Sequence, residues 1–290
     1  MRNPIALFAF FLAFAVAGTA SAAEPTLDAI LDSGRTRLMW VGAHPDDESF
    51  PGPILAKASV RRDPILLVVL TRGEGGGCAR KEGCAPDLGA VRQAEMREVA
   101  RLYGATLVHL DFPNVAMPPK GERFPPRQVV GRTWLRQGDP STAIARAIRD
   151  FKPDVLVTFA PDRGATTHPE HQLASRFATA AARLAAQDSP DLPGAPYRVG
   201  RTYCVLVKNW LYRLLRIDDP FEPTETFDAR QDCTPTLRCN ALAAEYTRPH
   251  RSQGRDMAAM RVAQRLTSQV YLRRVDPFTE IAPPLKEEAR

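Results

Sequence analysis

The sequence predicts an α/β protein built on a mostly parallel sheet. Five short apolar runs recur along the chain, and each is continuous rather than alternating, as in strands that are buried on both faces. The runs cover residues 37–41, 65–70, 106–110, 154–159 and 203–207. Helical patterns separate the runs, and this alternation of strand and helix is typical of parallel α/β sheets.

Three helices are predicted between these strands, at residues 90–103, 141–151 and 173–186. The first places its apolar residues near one face and its charged residues on the others. The second follows Asp139-Pro140, a typical cap and first residue of a helix. The third is rich in alanine, which has the highest helix propensity.

Two stretches rich in proline and glycine, residues 111–140 and 187–200, predict long loops over one face of the sheet. No internal repeat and no interdomain linker interrupts the pattern. We therefore expect a single domain from residue 23 to residue 290.

The composition is that of an ordinary globular protein, with 44% apolar and 25% charged residues among 290. This excludes a collagen, a long coiled coil and a wholly disordered chain. The formal net charge is +6, from 39 basic and 33 acidic residues. Because no block of five like charges occurs, we expect no nucleic-acid partner.

The first residues predict a cleavable secretory signal. Arg2 precedes an unbroken apolar run over residues 5–17, and Ala20-Ser21-Ala22 is an A-x-A cleavage site. The alternative is a membrane anchor, but 13 residues cannot cross a bilayer core of about 30 Å. We expect cleavage after Ala22, a secreted or periplasmic location, and no membrane span in the mature chain.

Export changes the interpretation of the five cysteines, because an oxidising compartment permits disulfides. Cys78 and Cys84 are separated by five residues, as are Cys233 and Cys239. Cys204 lies in an apolar run and is left over. A zinc site is the alternative, but the chain has no C-x₂-C pair and no histidine near these cysteines. We therefore predict two local disulfides.

A polar cluster, Ala43-His-Pro-Asp-Asp-Glu48, follows the first predicted strand. His44 and Asp47 are separated by two residues, so a turn can direct both side chains at one ion. Histidine nitrogen and carboxylate oxygen at about 2.0–2.2 Å are normal ligands of Zn²⁺. Asp46 is then free to act as a general base on water. The alternative is a polar turn that caps the next helix.

A second cluster, Thr167-His-Pro-Glu-His171, follows the fourth predicted strand. Proline fits the first position of a helix, which makes His168 the cap residue and places His171 near it at i+3. One histidine can complete a metal site while the other faces the substrate; the alternative is two exposed histidines. Because ligands of α/β sheets bind at the carboxyl ends of strands, the two clusters together favour an open, catalytic zinc site.

In combination these motifs resemble the PIG-L/LmbE-like zinc de-N-acetylases. Three weaker similarities occur in the same order: Thr71–Gly75 resembles a T-x-G-E segment, Arg92–Ala105 an R-x-x-E…L-G-A helix, and His250–Gln253 an H-x-S-Q segment. The resemblance covers about residues 36–253. It implies a Rossmann-like three-layer sandwich with a mostly parallel sheet.

The resemblance also implies roles for single residues. It assigns His44, Asp47 and His171 as ligands of one Zn²⁺ per chain, with Fe²⁺ as a possible substitute. Asp46 matches the general base. His168 matches the histidine that polarises the substrate or donates a proton in the transition state.

Three further positions are assigned to substrate binding by the same resemblance, namely Arg92, Asn114 and His250. The chain departs from the family pattern at two places. Asn114 stands where relatives often have a substrate-contacting aspartate. Glu170 replaces the aspartate of the usual H-P-D-H motif, at a position that is not among the implied ligands.

The implied activity is that of a secreted metal-dependent hydrolase of linear amides, which removes an N-acetyl group from an amino sugar such as an N-acetylglucosamine-containing glycoside or glycan. Two alternatives stay open: a phosphoesterase-like metal hydrolase, and a zinc-dependent carbohydrate-binding protein without turnover. The Gly-rich residues 73–77 lack the G-x-x-x-x-G-K-[ST] pattern, so we predict a flexible active-site loop rather than a phosphate cradle. The sequence leaves the oligomeric state open.

Overall fold

The computed structural model describes residues 24–208, 214 and 218–280. The predicted secretory signal, residues 1–22, lies outside the described residues. Within the described ranges, no helix combines the length and the apolar character needed to cross a membrane.

One mixed sheet of seven strands organises the described part of the chain. The strands are β1 Leu38–Gly42, β2 Ile65–Thr71, β3 Thr106–Phe112, β4 Val155–Phe159, β5 Arg201–Leu206, β6 Glu225–Asp228 and β7 Gln269–Val275. Their order across the sheet is β3-β2-β1-β4-β5-β7-β6. Strands β1 to β5 pair in parallel, whereas β7 runs antiparallel to both β5 and β6. The mostly parallel sheet and its five predicted strands are confirmed.

Burial follows the position of each strand in the sheet. Every residue of β1, β2 and β4 is buried, as their continuous apolar runs predict. Strand β3 differs, because only Phe112 at its end is fully buried. The expectation of burial on both faces is wrong for β3, since it forms the edge of the sheet and pairs only with β2.

Helices cover the sheet in two groups and give the Rossmann-like three-layer sandwich. The helices are α1 Leu27–Ser33, α2 Gly52–Val60, α3 Leu88–Tyr103, α4 Arg127–Gln137, α5 Pro140–Phe151, α6 Gly164–Thr167, α7 Pro169–Ala185, α8 Cys239–Tyr246 and α9 Gly254–Leu266. One group contains α4, α5 and α7, with α7 packed on β1 and β4. The other contains α2, α3, α8 and α9, with α2 packed on β2 and α3 on β3.

The predicted loop over residues 111–140 is corrected by the structure, because it contains α4. Trp134 anchors this helix: its side chain is fully buried, and its indole nitrogen donates to the carbonyl of Pro113 at 2.8 Å. The second predicted loop, residues 187–200, contains neither helix nor strand and is confirmed.

Both predicted disulfides are present, Cys78–Cys84 and Cys233–Cys239, and Cys204 is buried and unpaired. The first disulfide closes the chain just after the Gly-rich residues 73–77. The second disulfide closes the short loop that leads into α8.

The strand order determines where a ligand can bind. From β1 the chain proceeds outward through β2 to β3, then returns to the other side of β1 as β4. This reversal opens a crevice at the carboxyl ends of β1 and β4, which is where open α/β sheets bind their ligands. Both predicted site motifs follow these two strands, so the topology brings them together.

Candidate active site

A cavity of about 260 Å³ lies at this switch point. Seven of the eight predicted site residues line it, namely His44, Asp46, Asp47, Arg92, Asn114, His168 and His171. A larger cavity of about 350 Å³ lies beside the start of β5 and the end of β7 and contains none of them.

The turn after β1 is built around Asp47. Its Oδ2 accepts hydrogen bonds from the backbone N–H groups of Ala43 at 2.7 Å and His44 at 2.8 Å. Gly42 permits this approach, because a Cβ there would lie 2.9 Å from the Cβ of Asp47. Helix α2 has no side-chain cap, so the helix-cap alternative for this motif is not what the structure shows.

The second motif begins α7, with His168 as the cap residue and Pro169 as the first helical residue. The ring of His171 stacks on Phe159 at the end of β4, with centroids 4.4 Å apart and planes 13° apart. Its Nδ1–H donates to the carbonyl of Gly164 at 2.8 Å. Gly164 has φ of +55°, and a Cβ there would lie 2.7 Å from the Cβ of His171, so glycine is required.

Glu170 is a site residue that the sequence reasoning missed. It is fully buried, and its Oε2 accepts a hydrogen bond from His44 Nε2 at 2.7 Å and another from the Asn114 side chain. Its Oε1 accepts from the backbone N–H of Val115 at 2.9 Å. The sequence signal was its position between two histidines, where a carboxylate can orient a metal-ligating imidazole.

These contacts determine which histidine nitrogens face the centre. Because His44 Nε2–H donates to Glu170 and His171 Nδ1–H donates to a carbonyl, the remaining nitrogens, His44 Nδ1 and His171 Nε2, carry lone pairs. These two atoms lie 3.0 Å apart. Lone pairs this close repel each other unless a proton or a cation lies between them.

A carboxylate oxygen completes the set. Asp47 Oδ1 lies 3.1 Å from His171 Nε2, and Asp47 Oδ2 lies 3.6 Å from His44 Nδ1. Ligand atoms bound to tetrahedral Zn²⁺ at about 2.0–2.1 Å are separated by about 3.3 Å. The side chains of His44, Asp47 and His171 therefore fit a zinc-sized ion with three protein ligands.

Electrostatics are consistent with this fit. Burial alone would lower the pKa of His44, but Asp47 and Glu170 outweigh it and hold that pKa well above its usual value. Burial alone would raise the pKa of Asp47, but His171 and His44 hold it far below its usual range. The protein thus places an ionised carboxylate where positive charge is favoured.

His168 offers a competing donor, because ring nitrogens of His44, His168 and His171 also lie within 4.8 Å of one another. Its Nδ1 accepts the backbone N–H of Glu170 at 3.3 Å, so Nε2 carries the ring proton. Burial, with repulsion from the other two histidines, lowers the pKa of His168 to about 2. The shorter distances favour Asp47 as the third ligand and leave His168 as a neutral hydrogen-bond donor.

Asp46 is held in an unusual backbone conformation, with φ of 116°. A non-glycine residue in such a region costs about 1–3 kcal/mol and is typical of functional sites. Burial, followed by repulsion from Asp47, raises the pKa of Asp46 to about 7. A carboxyl group with this pKa is suited to accept and return protons near neutral pH.

Arg92 reaches the cavity, but its guanidinium also holds the Gly-rich loop. It donates to the carbonyls of Gly73 at 2.8 Å and Gly77 at 2.9 Å. Within that loop, the N–H of Gly75 is taken by Asn114 Oδ1 at 2.8 Å and the N–H of Gly76 by the carbonyl of Gly73 at 3.2 Å. Because these two N–H groups are already hydrogen-bonded within the protein, they are not free to bind a phosphate. The guanidinium of Arg92 holds the backbone of the loop, a role that the sequence did not predict.

His250 is the predicted site residue that does not reach the cavity. Its side chain is fully buried behind the first motif, and its Nε2 lies 2.7 Å from Oε1 of Glu48. This placement does not support the expectation of a substrate contact, because the fully buried imidazole is not among the residues that line the cavity.

Comparison with known proteins agrees with this geometry. The model of the PIG-L family, described as GlcNAc-PI de-N-acetylase, matches residues 39–182, which contain both motifs and strands β2 to β4. The chain carries a PIG-L family domain. The matched range contains all seven predicted site residues that line the cavity.

A curated relative of this PIG-L domain is 1D-myo-inositol 2-acetamido-2-deoxy-alpha-D-glucopyranoside deacetylase of Streptomyces scabiei. It is 35% identical over 185 residues, which cover 58% of this chain and 54% of that protein. The chain thus spans about half the length of the curated relatives it matches.

Solved structures share the fold of the PIG-L domain at low identity. N,N'-diacetylchitobiose deacetylase from Pyrococcus horikoshii has a TM-score of 0.59 at 18% identity, covering 89% of this chain and 93% of that one. The 4-carboxy-2-hydroxymuconate hydratase GalB from Pseudomonas putida KT2440 has a TM-score of 0.50 at 17% identity, covering 84% and 97%. Since one neighbour is named a deacetylase and the other a hydratase, the reaction has to be inferred from the side chains and not from the fold.

Proposed function

We propose that this chain is a metal-dependent amidase that removes the N-acetyl group from an amino sugar. The observation that carries the proposal is the convergence of three donor atoms, from His44, Asp47 and His171, beside a buried carboxyl group and a neutral imidazole. Three protein ligands leave one position open, which is typical of catalytic rather than structural zinc.

The proposed reaction assigns a task to each side chain. A divalent cation held by His44, Asp47 and His171, either Zn²⁺ or Fe²⁺, would polarise the amide oxygen and acidify water. Asp46 accepts a proton from the attacking water as its oxygen bonds to the carbonyl carbon. His168 donates a hydrogen bond through Nε2–H to the oxyanion that develops there.

Collapse of the tetrahedral intermediate breaks the C–N bond and requires a proton on the amine. We assign that proton to Asp46, which received it from water and whose pKa is about 7. His168 is unsuited to the task, because a pKa of about 2 keeps its ring neutral at physiological pH. The immediate products are acetic acid and the free amine of the sugar, and transfer of the acid's proton to the amine gives acetate and an ammonium group, so atoms and charge balance.

The substrate class is supported by the relatives. The family model is described as a GlcNAc-PI de-N-acetylase, and the curated relative from Streptomyces scabiei is named for a 2-acetamido sugar. We therefore propose an N-acetylglucosamine-containing glycoside or glycan as the substrate, without a nucleic-acid partner.

Acetate release from a panel of N-acetylated amino sugars and their glycosides tests this function. The metal-loaded protein should release acetate stoichiometrically with free amine, and Asp46→Asn protein with the same metal content should release at least about 10²-fold less. Absence of acetate from every member of the panel, at full metal occupancy, would overturn the proposal.

The same preparation distinguishes the alternatives. A phosphoesterase would hydrolyse phosphate esters and bind two ions about 3.5–4 Å apart, whereas we expect one ion per chain. A carbohydrate-binding protein without turnover would bind the sugars with equal affinity in wild-type and Asp46→Asn protein, and would release nothing.

We also propose that the chain is exported through its N-terminal segment. The support is the apolar run, the A-x-A site and two disulfides, which persist in oxidising compartments. N-terminal sequencing of protein recovered outside the cytoplasm should begin at Ala23, and an uncleaved Met1 in that material would contradict the proposal.

A further inference from the structure

A segment from the far end of the chain, residues 250–253, contacts Asp46, and Gln253 of this segment also lines the cavity. The amide nitrogen of Gln253 donates to Oδ2 of Asp46 and to the backbone carbonyl of Pro45, the latter at 3.1 Å. One side chain therefore holds both the carboxylate and the preceding backbone. These contacts join residues more than 200 positions apart in the sequence.

The backbone of Asp46 is held from a second direction. Its N–H donates to Oε2 of Glu48 at 3.1 Å, and the other oxygen of Glu48 lies 2.7 Å from His250 Nε2. Both Glu48 and His250 are completely buried. The contacts therefore run from His250 through Glu48 to the backbone N–H of Asp46, whose φ is 116°.

The 250–253 segment is itself anchored to α3. Ser252 donates to the carboxylate of Glu95 through its backbone N–H at 2.9 Å and through its hydroxyl at 2.6 Å. Glu95 is buried, so this pair of hydrogen bonds is shielded from water. The segment is therefore a fixed support and not a loop that rests against the site.

We propose that Glu48, His250 and Gln253 are positioning residues that hold Asp46 in its strained backbone conformation and aim its carboxylate into the cavity. The inference rests on the proposed function of Asp46 as the base. It gives the H-x-S-Q segment a task that does not require contact with the substrate, and it explains why His250 is buried away from the cavity.

Gln253→Met tests the proposal, because methionine has a similar length but no hydrogen-bond donor. A misplacement of about 1 Å can cost about 10²-fold in rate, so kcat should fall about 10- to 100-fold. KM and the metal content per chain should stay within about twofold, because the metal ligands are untouched and the proposal gives Gln253 no contact with the substrate.

Gln264→Met is the matched control. Gln264 is also a buried glutamine, with 4% exposure against 8% for Gln253, and its amide also donates to a backbone carbonyl, that of Ser49 at 2.8 Å. Each of the two glutamines has an Oε1 without a partner among the described residues. Gln264→Met should lower the Tm by about as much as Gln253→Met does, and it should change kcat less than about twofold.

A structural measurement separates this proposal from the proposed function. A crystal structure of Gln253→Met should show the Asp46 carboxylate rotated or its φ moved out of the positive region, whether or not the wild type releases acetate. His250→Phe should give the same kcat effect through Glu48. A raised KM with unchanged kcat would mean that Gln253 binds substrate directly, and an unmoved Asp46 with full activity would overturn the proposal.

Discussion

At the scale of single residues, each of the three proposed metal ligands has one side-chain atom engaged by the protein and one atom left for the metal. His44 uses Nε2 to bind Glu170, His171 uses Nδ1 to bind Gly164, and Asp47 uses Oδ2 to bind backbone N–H groups. The sequence could predict these residues from their types and spacing. It could not predict the atoms, because the partners come from other parts of the chain.

The division of roles between the adjacent aspartates is the sharpest prediction at this scale. Asp46→Asn should bind metal normally and lose about 10²–10⁴-fold in kcat, because the amide cannot accept the proton. Asp47→Asn should weaken metal binding, and added Zn²⁺ should recover part of its activity. Metal content and steady-state kinetics of both variants give the answer.

The two aspartate variants serve as controls for each other, since they differ by one position and by the same chemical change. If Asp46→Asn lost its metal while Asp47→Asn kept it, the two roles would have to be exchanged.

A second residue-scale prediction concerns Glu170, whose carboxylate accepts from three donors on His44, Asn114 and Val115. In Glu170→Gln, either orientation of the amide places an NH₂ group against a donor. We expect metal affinity to fall about 10- to 100-fold, as for other partners of metal-ligating histidines. A chelator-competition titration measures this loss.

Glu74→Gln is the matched control for Glu170→Gln. Glu74 Oε1 accepts the backbone N–H of Asn114 at 2.9 Å and does not touch a predicted ligand. Its substitution should leave metal affinity unchanged, and equal losses in both variants would show that Glu170 acts on the loop and not on His44.

At the scale of elements, the continuous apolar strands and the three helices α3, α5 and α7 were predictable, whereas β7, α2 and α4 were not. Strand β7 alternates buried and exposed residues and includes Arg273 and Arg274, so it forms no apolar run. Helix α2 is buried over seven of its nine residues, which erases the one-sided pattern that identifies a helix. Helix α4 begins directly after Pro125 and Pro126, and two consecutive prolines in a sequence indicate a loop.

The turn before α7 gives an element-scale prediction. Gly164→Ala would place a Cβ 2.7 Å from the Cβ of His171 and strain a residue with φ of +55°. We expect metal affinity to fall at least about tenfold and stability to fall by about 1–3 kcal/mol. Denaturant unfolding and metal titration measure the two effects.

Gly194→Ala is the control that separates backbone strain from a steric clash with a neighbouring side chain. Gly194 also has a positive φ, +83°, but a Cβ added there would lie 4.0 Å from the Cβ of Arg149, an ordinary van der Waals contact. This variant should lose stability and keep its metal affinity. Unchanged metal binding in Gly164→Ala would show that His171 is not held by that turn.

At the scale of the whole molecule, the order of strands brings together residues that the sequence keeps far apart. The first motif follows β1, the second follows β4, and the 250–253 segment returns from the far end of the chain to support Asp46. The order of the motifs was visible in the sequence. Their mutual distances were not, because they depend on the crossover that places β4 beside β1.

A further prediction at this scale is that the affinity of the protein for Zn²⁺ depends on pH. A cation must displace the proton of His44, whose pKa is held well above its usual value by Asp47 and Glu170 despite burial. Below that pKa, affinity for Zn²⁺ should rise up to about tenfold per pH unit. Competition titrations with a chelator at about pH 6, 7 and 8 measure the slope of affinity against pH. The control variant His168→Ala should retain this slope. An affinity that does not change with pH would contradict the assignment of His44 as a ligand.

Anomalous diffraction at the zinc absorption edge, from crystals of the protein loaded with Zn²⁺, tests the central claim most directly. We predict one strong peak at about 2.0–2.2 Å from His44 Nδ1, a carboxylate oxygen of Asp47 and His171 Nε2, with its open side facing Asp46 and His168. A peak ligated by His168 in place of Asp47, a second peak about 3.5–4 Å away, or no peak between these three side chains would contradict the account.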